Sequence, residues 1–124
     1  MSDFLGIHGT ALALREKRLQ LLAANIANAD TPHYQAQDLD FTTALRSALQ
    51  PGSNATGPGG GDAIQQAAAS AQYLRPASQP SLDGNTVDGD RENASYAQAV
   101  VEYRASLSFI ESKVRSMLTA ITGQ

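Results

Sequence analysis

Apolar residues recur with helical spacing at both ends of this 124-residue chain and lose that rhythm between them. Near the N-terminus Leu5, Leu12, Leu19 and Ile26 return every seven residues, and Leu22 and Ala29 add a second line. That spacing marks one face of an amphipathic helix. It predicts a helix from Phe4 to Ala29, roughly 39 Å long at 1.5 Å per residue. Gly6 and Gly9 weaken the first turns by about 1 kcal/mol each relative to alanine, so this end is expected to fray without a partner. Towards the C-terminus Tyr96, Val100, Tyr103, Leu107, Ile110, Val114, Met117 and Ile121 alternate steps of four and three. An unbroken run of that kind is a coiled-coil seam. Asp88, Asp90 and Glu92 stand where the positive end of the helix dipole favours acids. Glu111 and Arg115 form an i,i+4 pair. Val101, Phe109 and Leu118 fall off the seam, and an isolated helix pair leaves them in water, so a second neighbour is expected.

The middle follows other rules. Phe41, Leu45, Ala48 and Leu49 predict a short amphipathic helix capped by Asp38 or Asp40 and ended by Pro51-Gly52. Residues 51–62, rich in Gly, Ser and Pro, read as a flexible linker. The alanine-rich stretch Ala63–Gln72 suits a turn or two of helix. Tyr73 to Val87 contains Pro76, Pro80 and Asp83-Gly84-Asn85, and reads as extended or turn-like. There is no internal repeat. The chain therefore divides into residues 1–36, an N-terminal helix and its Thr-Pro turn; residues 37–87, a short helix, linker and extended segment; and residues 88–124, the C-terminal coiled-coil helix.

The fold class that follows is all-α. The chain must turn back between its ends, so the two long helices pair as an antiparallel coiled coil, with an irregular, partly extended middle. The expected pairing sets Val100, Leu107, Val114 and Ile121 against Leu12, Leu19 and Ile26. A hairpin of this kind buries less than the two-thirds or so of unfolded surface typical at this length. The chain is expected to complete its core against copies or partners.

Charge narrows the functions open to it. The net charge is −3, and residues 1–50, 51–87 and 88–124 each contribute −1. No basic patch announces nucleic acid. No apolar run approaches the roughly 18 residues of a membrane span. Asp3 and the Arg15-Glu16-Lys17-Arg18 run argue against a secretory signal peptide. With no cysteine there is no disulfide framework or thiolate chemistry. His8 and His33 belong to no metal-ligand spacing, and His8 is expected to be half-buried packing. The Gly57–Gly61 run lacks the Lys-Ser/Thr of a phosphate loop. The acid pairs Asp38/Asp40 and Asp88/Asp90 lie at helix starts, where capping explains them. No catalytic constellation, cofactor site or metal site emerges.

The end of the first helix carries the most information. Asn25 and Asn28 share one helix face, and asparagine is a poor helix-interior residue because its amide competes for backbone groups. Asn25-Ile26-Ala27-Asn28-Ala29-Asp30-Thr31-Pro32-His33-Tyr34 resembles the Asn-x-x-Asn-x-x-Thr-Pro-Gly-Tyr signature of flagellar rod and hook proteins. Gln35 to Phe41, and the stretch Gln79 to Glu92 before the C-terminal helix, resemble proximal rod proteins of the FlgB type. The resemblance covers nearly all of residues 4–50 and 79–121; the related FlgC-type rod subunit is the nearest alternative within the axial proteins.

The resemblance implies a structural, non-catalytic subunit of the bacterial flagellar basal-body rod. Such a subunit polymerises helically with copies and sibling rod proteins, and is exported through the flagellar type III apparatus to the periplasmic rod. It is expected to meet the rod-base adaptor, the membrane ring and the export gate, without inserting into the membrane and without nucleic acid. Asn25, Asn28, Thr31, Pro32 and Tyr34 would then form a hydrogen-bonding joint, between subunits or between helix and loop. A cytoplasmic helical export chaperone using the same seam is the competing reading. Two positions depart from the family pattern. His33 stands where Gly is usual, so the turn after Pro32 is expected not to require a positive φ there. Gly89 replaces an apolar residue, which weakens the first turn of the last helix and removes a staple contact.

Overall fold

Two helices of unequal length, paired antiparallel, dominate the computed structural model, which describes residues 2–50, 60–76 and 82–123, without the side chains of residues 2–4 and 60. The chain order is α1 (Ser2–Ala27), β1 (Gln37–Leu39), α2 (Phe41–Ala48), α3 (Gly60–Ala71), β2 (Gln72–Leu74) and α4 (Gly89–Thr122). α1 begins and ends two residues earlier than the periodicity suggests. Its last turn tightens, with the Asn28 and Ala29 amides donating to the carbonyls of Asn25 and Ile26, three residues back. Most of the linker prediction, residues 51–59, lies outside the described residues, as does the expected Pro51-Gly52 stop. Residues 60–62 are instead the first turn of α3.

Capping follows short-range chemistry. Asp40 is the N-cap of α2 and accepts from the Thr43 amide. Asp88 caps α4 through the Arg91 amide. Gly123, with φ of 74°, closes α4 by donating to the Thr119 carbonyl.

The register of the helix pair is legible in three side-chain contacts. His8 stacks on Phe109 with ring centroids 4.9 Å apart. Arg15 pairs with Glu102 at 2.8 Å, and Asn25 meets Glu92 at 3.0 Å. Each step up α1 is matched by an equal step down α4. On that register Ser2 falls level with Arg115, and residues 117–122 run past the start of α1 by about two turns.

The middle segment folds back on α1. A small core joins Leu14 and Leu21 of α1 to Leu39, Ala44, Ala68 and Ala71, with Phe41, Leu45 and Ile64 packed against it. Ala48 and Ala67 bring α2 and α3 together. β1 and β2 add a two-stranded antiparallel ribbon, with Gln37 opposite Leu74, Asp38 opposite Tyr73 and Leu39 opposite Gln72. α1 therefore has two working faces. The line of Leu5, Leu12, Leu19 and Ile26 is half-buried where described, whereas the deepest burial is on Leu14 and Leu22. Alanine methyls fill the space between helices that approach closely, so the middle packs without the aromatic content a larger core needs.

Candidate functional site

The joint after α1 is held by a polar network whose centre is Asn25, fully buried at 0% exposure. Its Nδ2 donates to the Gln37 carbonyl at 2.7 Å and to Glu92 Oε2 at 3.0 Å. Its Oδ1 accepts from the Gln37 amide at 3.0 Å and from the Tyr34 hydroxyl at 3.3 Å. Every donor and acceptor of the amide is used, which fixes its orientation. Only asparagine among the small side chains offers both a donor pair and an acceptor at this reach.

Glu92, 1% exposed, also pairs with Arg75. Arg75 turns its other terminal nitrogen to Asp38 at 2.7 Å. Asp38 accepts in addition from Arg18 Nε at 3.0 Å and from the Leu39 amide at 2.7 Å. Arg18 reaches Glu102 at 3.8 Å, where Arg15 already sits. The chain Arg15–Glu102–Arg18–Asp38–Arg75–Glu92–Asn25 thus stitches together α1, α4, β1 and the residue that follows β2. Burial pushes the Asp38 carboxyl up, but the Arg18 side chain, the Leu39 amide and the Arg75 guanidinium together outweigh it and hold the carboxyl below its ordinary value.

A second asparagine secures the turn. Asn85 is buried, and its Nδ2 donates to the carbonyls of Asn28, Ala29 and Thr31 at 2.9, 3.0 and 2.7 Å. These carbonyls belong to the turn that follows α1, and the amide that holds them comes from 54 residues or more along the chain. Thr86 Oγ1 accepts from the Ala36 amide at 2.7 Å, and the Thr86 amide donates to the Tyr34 carbonyl at 3.0 Å.

His33 corrects one sequence expectation. Its φ is 63°, in the left-handed region, so the turn does require the conformation that glycine would adopt freely. Its amide donates to the Asp83 carbonyl at 2.7 Å, which holds the strained residue in place. Gly84, at φ 74°, lies beneath the imidazole, and a Cβ there would fall 2.8 Å from His33 Nδ1.

The signature residues separate on inspection. Asn25 and Tyr34 enter the buried network. Asn28 and Thr31 bond locally, with Asn28 Nδ2 donating to the Ala24 carbonyl at 2.8 Å and Thr31 Oγ1 donating to Asn28 Oδ1 at 3.0 Å. Pro32 is exposed. Of the seam residues, Leu12, Leu19, Ile26, Val100 and Leu107 are half-buried, while Val114 and Ile121 are 39% and 79% exposed. Glu92, Glu102 and Phe109 of α4 each touch a side chain of α1. Val101, Phe109 and Leu118 remain exposed. An open groove of about 440 Å³, lined by Ile7, His8, Arg15, Phe41, Leu45 and Phe109, runs between α1, α2 and α4. Arg15 lies 4.3 Å from the Phe41 ring centroid at its wall.

Sequence reasoning missed Asp38, Arg75, Glu92 and Asn85. Asp38 and Glu92 pass for helix-start acids, yet Asp40 and Asp88 alone do the capping. The acid left over in each group was the available signal. Among the described residues no helix is long and apolar enough to cross a membrane, and no cluster of His, Asp and Glu could hold a metal.

Comparison with known proteins agrees with this geometry. A family model described as flagella basal body rod protein matches residues 5–35, which is α1 and its turn. The flagellar basal body rod protein FlgB of Escherichia coli K12 is 42% identical over 121 residues, covering 90% of this chain and 87% of that protein. The protein of the same name from Cereibacter sphaeroides is 42% identical over 127 residues, covering 98% and 96%. That of Salmonella typhimurium is 40% identical over 123 residues, covering 91% and 88%.

Proposed function

This chain belongs to the FlgB family of flagellar basal-body rod proteins, and from that premise we infer that the exposed apolar residues of α4 form the surface on which it receives neighbouring rod subunits. It is a structural subunit of the bacterial flagellar basal-body rod, non-catalytic, and works in the periplasmic shaft reached through flagellar type III export. The relatives are rod proteins, and the export-chaperone reading gains no support from them.

The observation that carries the interface reading is the mismatch in helix length and cover. α4 has 34 residues and α1 has 26. The surplus carries Leu118 and Ile121, 56% and 79% exposed. Val114, 39% exposed, extends this apolar surface along the same helix. A solitary subunit gains nothing from this surface, whereas contacts that repeat without closing build a helical shaft. Sibling rod proteins and further copies are the expected occupants, with the rod-base adaptor, membrane ring and export gate at the proximal end. The last turns of α4 order on docking, and the free subunit frays there. Of the signature residues Asn25 contributes from inside: it fixes the angle at which α1 hands over to the ribbon, and so the shape that neighbours meet.

The direct test is a photo-crosslinking residue at position 118 in cells that build flagella. Crosslinks to other rod proteins in purified basal bodies are expected. Basal bodies that contain the protein but yield no crosslink from position 118 would remove α4 from the interface.

A further inference from the structure

Arg75 and Arg18 each bridge a carboxylate of the ribbon to a carboxylate of α4. Asp38 lies between the two arginines, and Glu92 and Glu102 lie beyond them. The most confined member is Glu92, whose described partners are the neutral Asn25 amide and Arg75. With the ribbon lifted away, Arg75 leaves and Glu92 keeps only an amide for its buried charge. With α4 lifted away, Arg75 keeps only Asp38 and Asn25 loses an acceptor. Removing one partner of a buried pair is far costlier than never burying it. Each closure therefore makes the other more favourable.

We propose that the Arg75–Glu92 pair is a latch that makes closure of the β1–β2 ribbon and docking of α4 on α1 a single event. The middle segment then responds to whether the C-terminal helix is seated. An unlatched ribbon withdraws Leu39 from the small core it shares with Leu14 and Leu21. The surface offered to a neighbour thus differs between a subunit with α4 seated and one without.

Amide hydrogen exchange on the full chain tests the coupling. The probes on the ribbon are the amides of Asp40 and Arg75, which donate to the Ala71 and Ala36 carbonyls at 3.1 and 2.7 Å. The probes on α4 are the amides of Tyr96 and Val100. Glu92→Gln, a change in α4, is expected to speed exchange at the ribbon probes by at least roughly fivefold. Asp38→Asn, a change in β1, is expected to speed exchange at the α4 probes likewise. Effects confined to the element that carries the substitution overturn the latch. Should either variant fail to fold, the unaltered protein decides. With rising denaturant both sets of probes are expected to open with one free energy and one denaturant slope, and two separate openings overturn the proposal.

Discussion

Asn25 and Gln37 bond to each other as two strands do. The Asn25 amide group takes the Gln37 amide proton at 3.0 Å and returns one to the Gln37 carbonyl at 2.7 Å. A side chain on α1 thereby satisfies the outer edge of β1, and the ribbon needs no third strand on that side. The same side chain binds Glu92 of α4. One residue in the last turn of α1 thus sets the positions of both elements that follow.

Asn25 is therefore expected to tolerate neither truncation nor charge. Asn25→Ala leaves the part-buried amide and carbonyl of Gln37 without this partner, at up to about 1–3 kcal/mol for each group. Asn25→Asp keeps the acceptor but points a carboxylate at the Gln37 carbonyl and at Glu92. It should cost at least as much as alanine at neutral pH, and recover in part as the pH falls and the carboxyl is protonated. Chemical denaturation of the three proteins at two pH values checks this. A stable Asn25→Asp protein at neutral pH would show that the amide is not the hub described.

Much of this architecture is legible in the chain, for reasons that differ by element. The two long helices follow from their apolar periodicity, because burial of a helical face leaves a 3.6-residue imprint. The family signature at Asn25–Tyr34 pointed to the joint itself. The short helix α3 and the ribbon were barely visible. Alanine contributes to packing without contributing to a hydrophobic stripe, and three-residue strands are too short to show alternation. Asp38 and Glu92 were hidden by a local explanation that sufficed, since each stands beside an acid that caps. A long-range ion pair leaves no periodic trace. At His33 the residue type misled: the Asp83 carbonyl and the space above Gly84 hold a conformation that histidine seldom adopts.

His33 and Gly84 are expected to behave as a coupled pair. Gly84→Ala suffers twice, from its φ of 74° and from a methyl 2.8 Å from His33 Nδ1. A loss of about 1–3 kcal/mol is expected from the backbone and the contact together. His33→Gly removes the imidazole and relaxes a left-handed residue at φ 63°, so by itself it should change stability by less than about 1 kcal/mol. In the His33→Gly background, Gly84→Ala should cost clearly less, since only the backbone part remains. A double-mutant cycle by thermal denaturation measures the difference, and strict additivity would place the imidazole elsewhere in solution.

Acid should weaken the joint through Asp38. Its carboxyl is held below the ordinary value of 3.8 in the folded chain. A depressed carboxyl contributes stability that is fully present above its unfolded value and is lost as the pH falls through its folded value. The unfolding free energy is therefore expected to decline below about pH 4. Asp38→Asn should lower stability at neutral pH and flatten that decline, because no proton is then taken up at this position. Urea denaturation from pH 7 to pH 2.5 on both proteins provides the curves. Parallel slopes for the two would assign the acid sensitivity to other carboxylates.

The overhang of α4 gives the sharpest separation of folding from assembly. Leu118 is 56% exposed and Ile121 is 79% exposed, and both lie near or beyond the end of α1 on the helix register. Leu118→Asp and Ile121→Asp remove little or no buried contact within the subunit, so stability should change by no more than about 0.5 kcal/mol. On a rod-facing surface the same carboxylate must be desolvated without a partner, and the interface should fail. The expected pattern is an unchanged melting curve for the purified subunit and loss of motility when either variant replaces the normal protein in a deletion strain. Leu14→Ala serves as the contrast: it removes a fully buried side chain from the α1 core and should cost about 2–5 kcal/mol of stability. Motility preserved in both aspartate variants, with each found in the basal body at its usual abundance, would take residues 118 and 121 out of the interface.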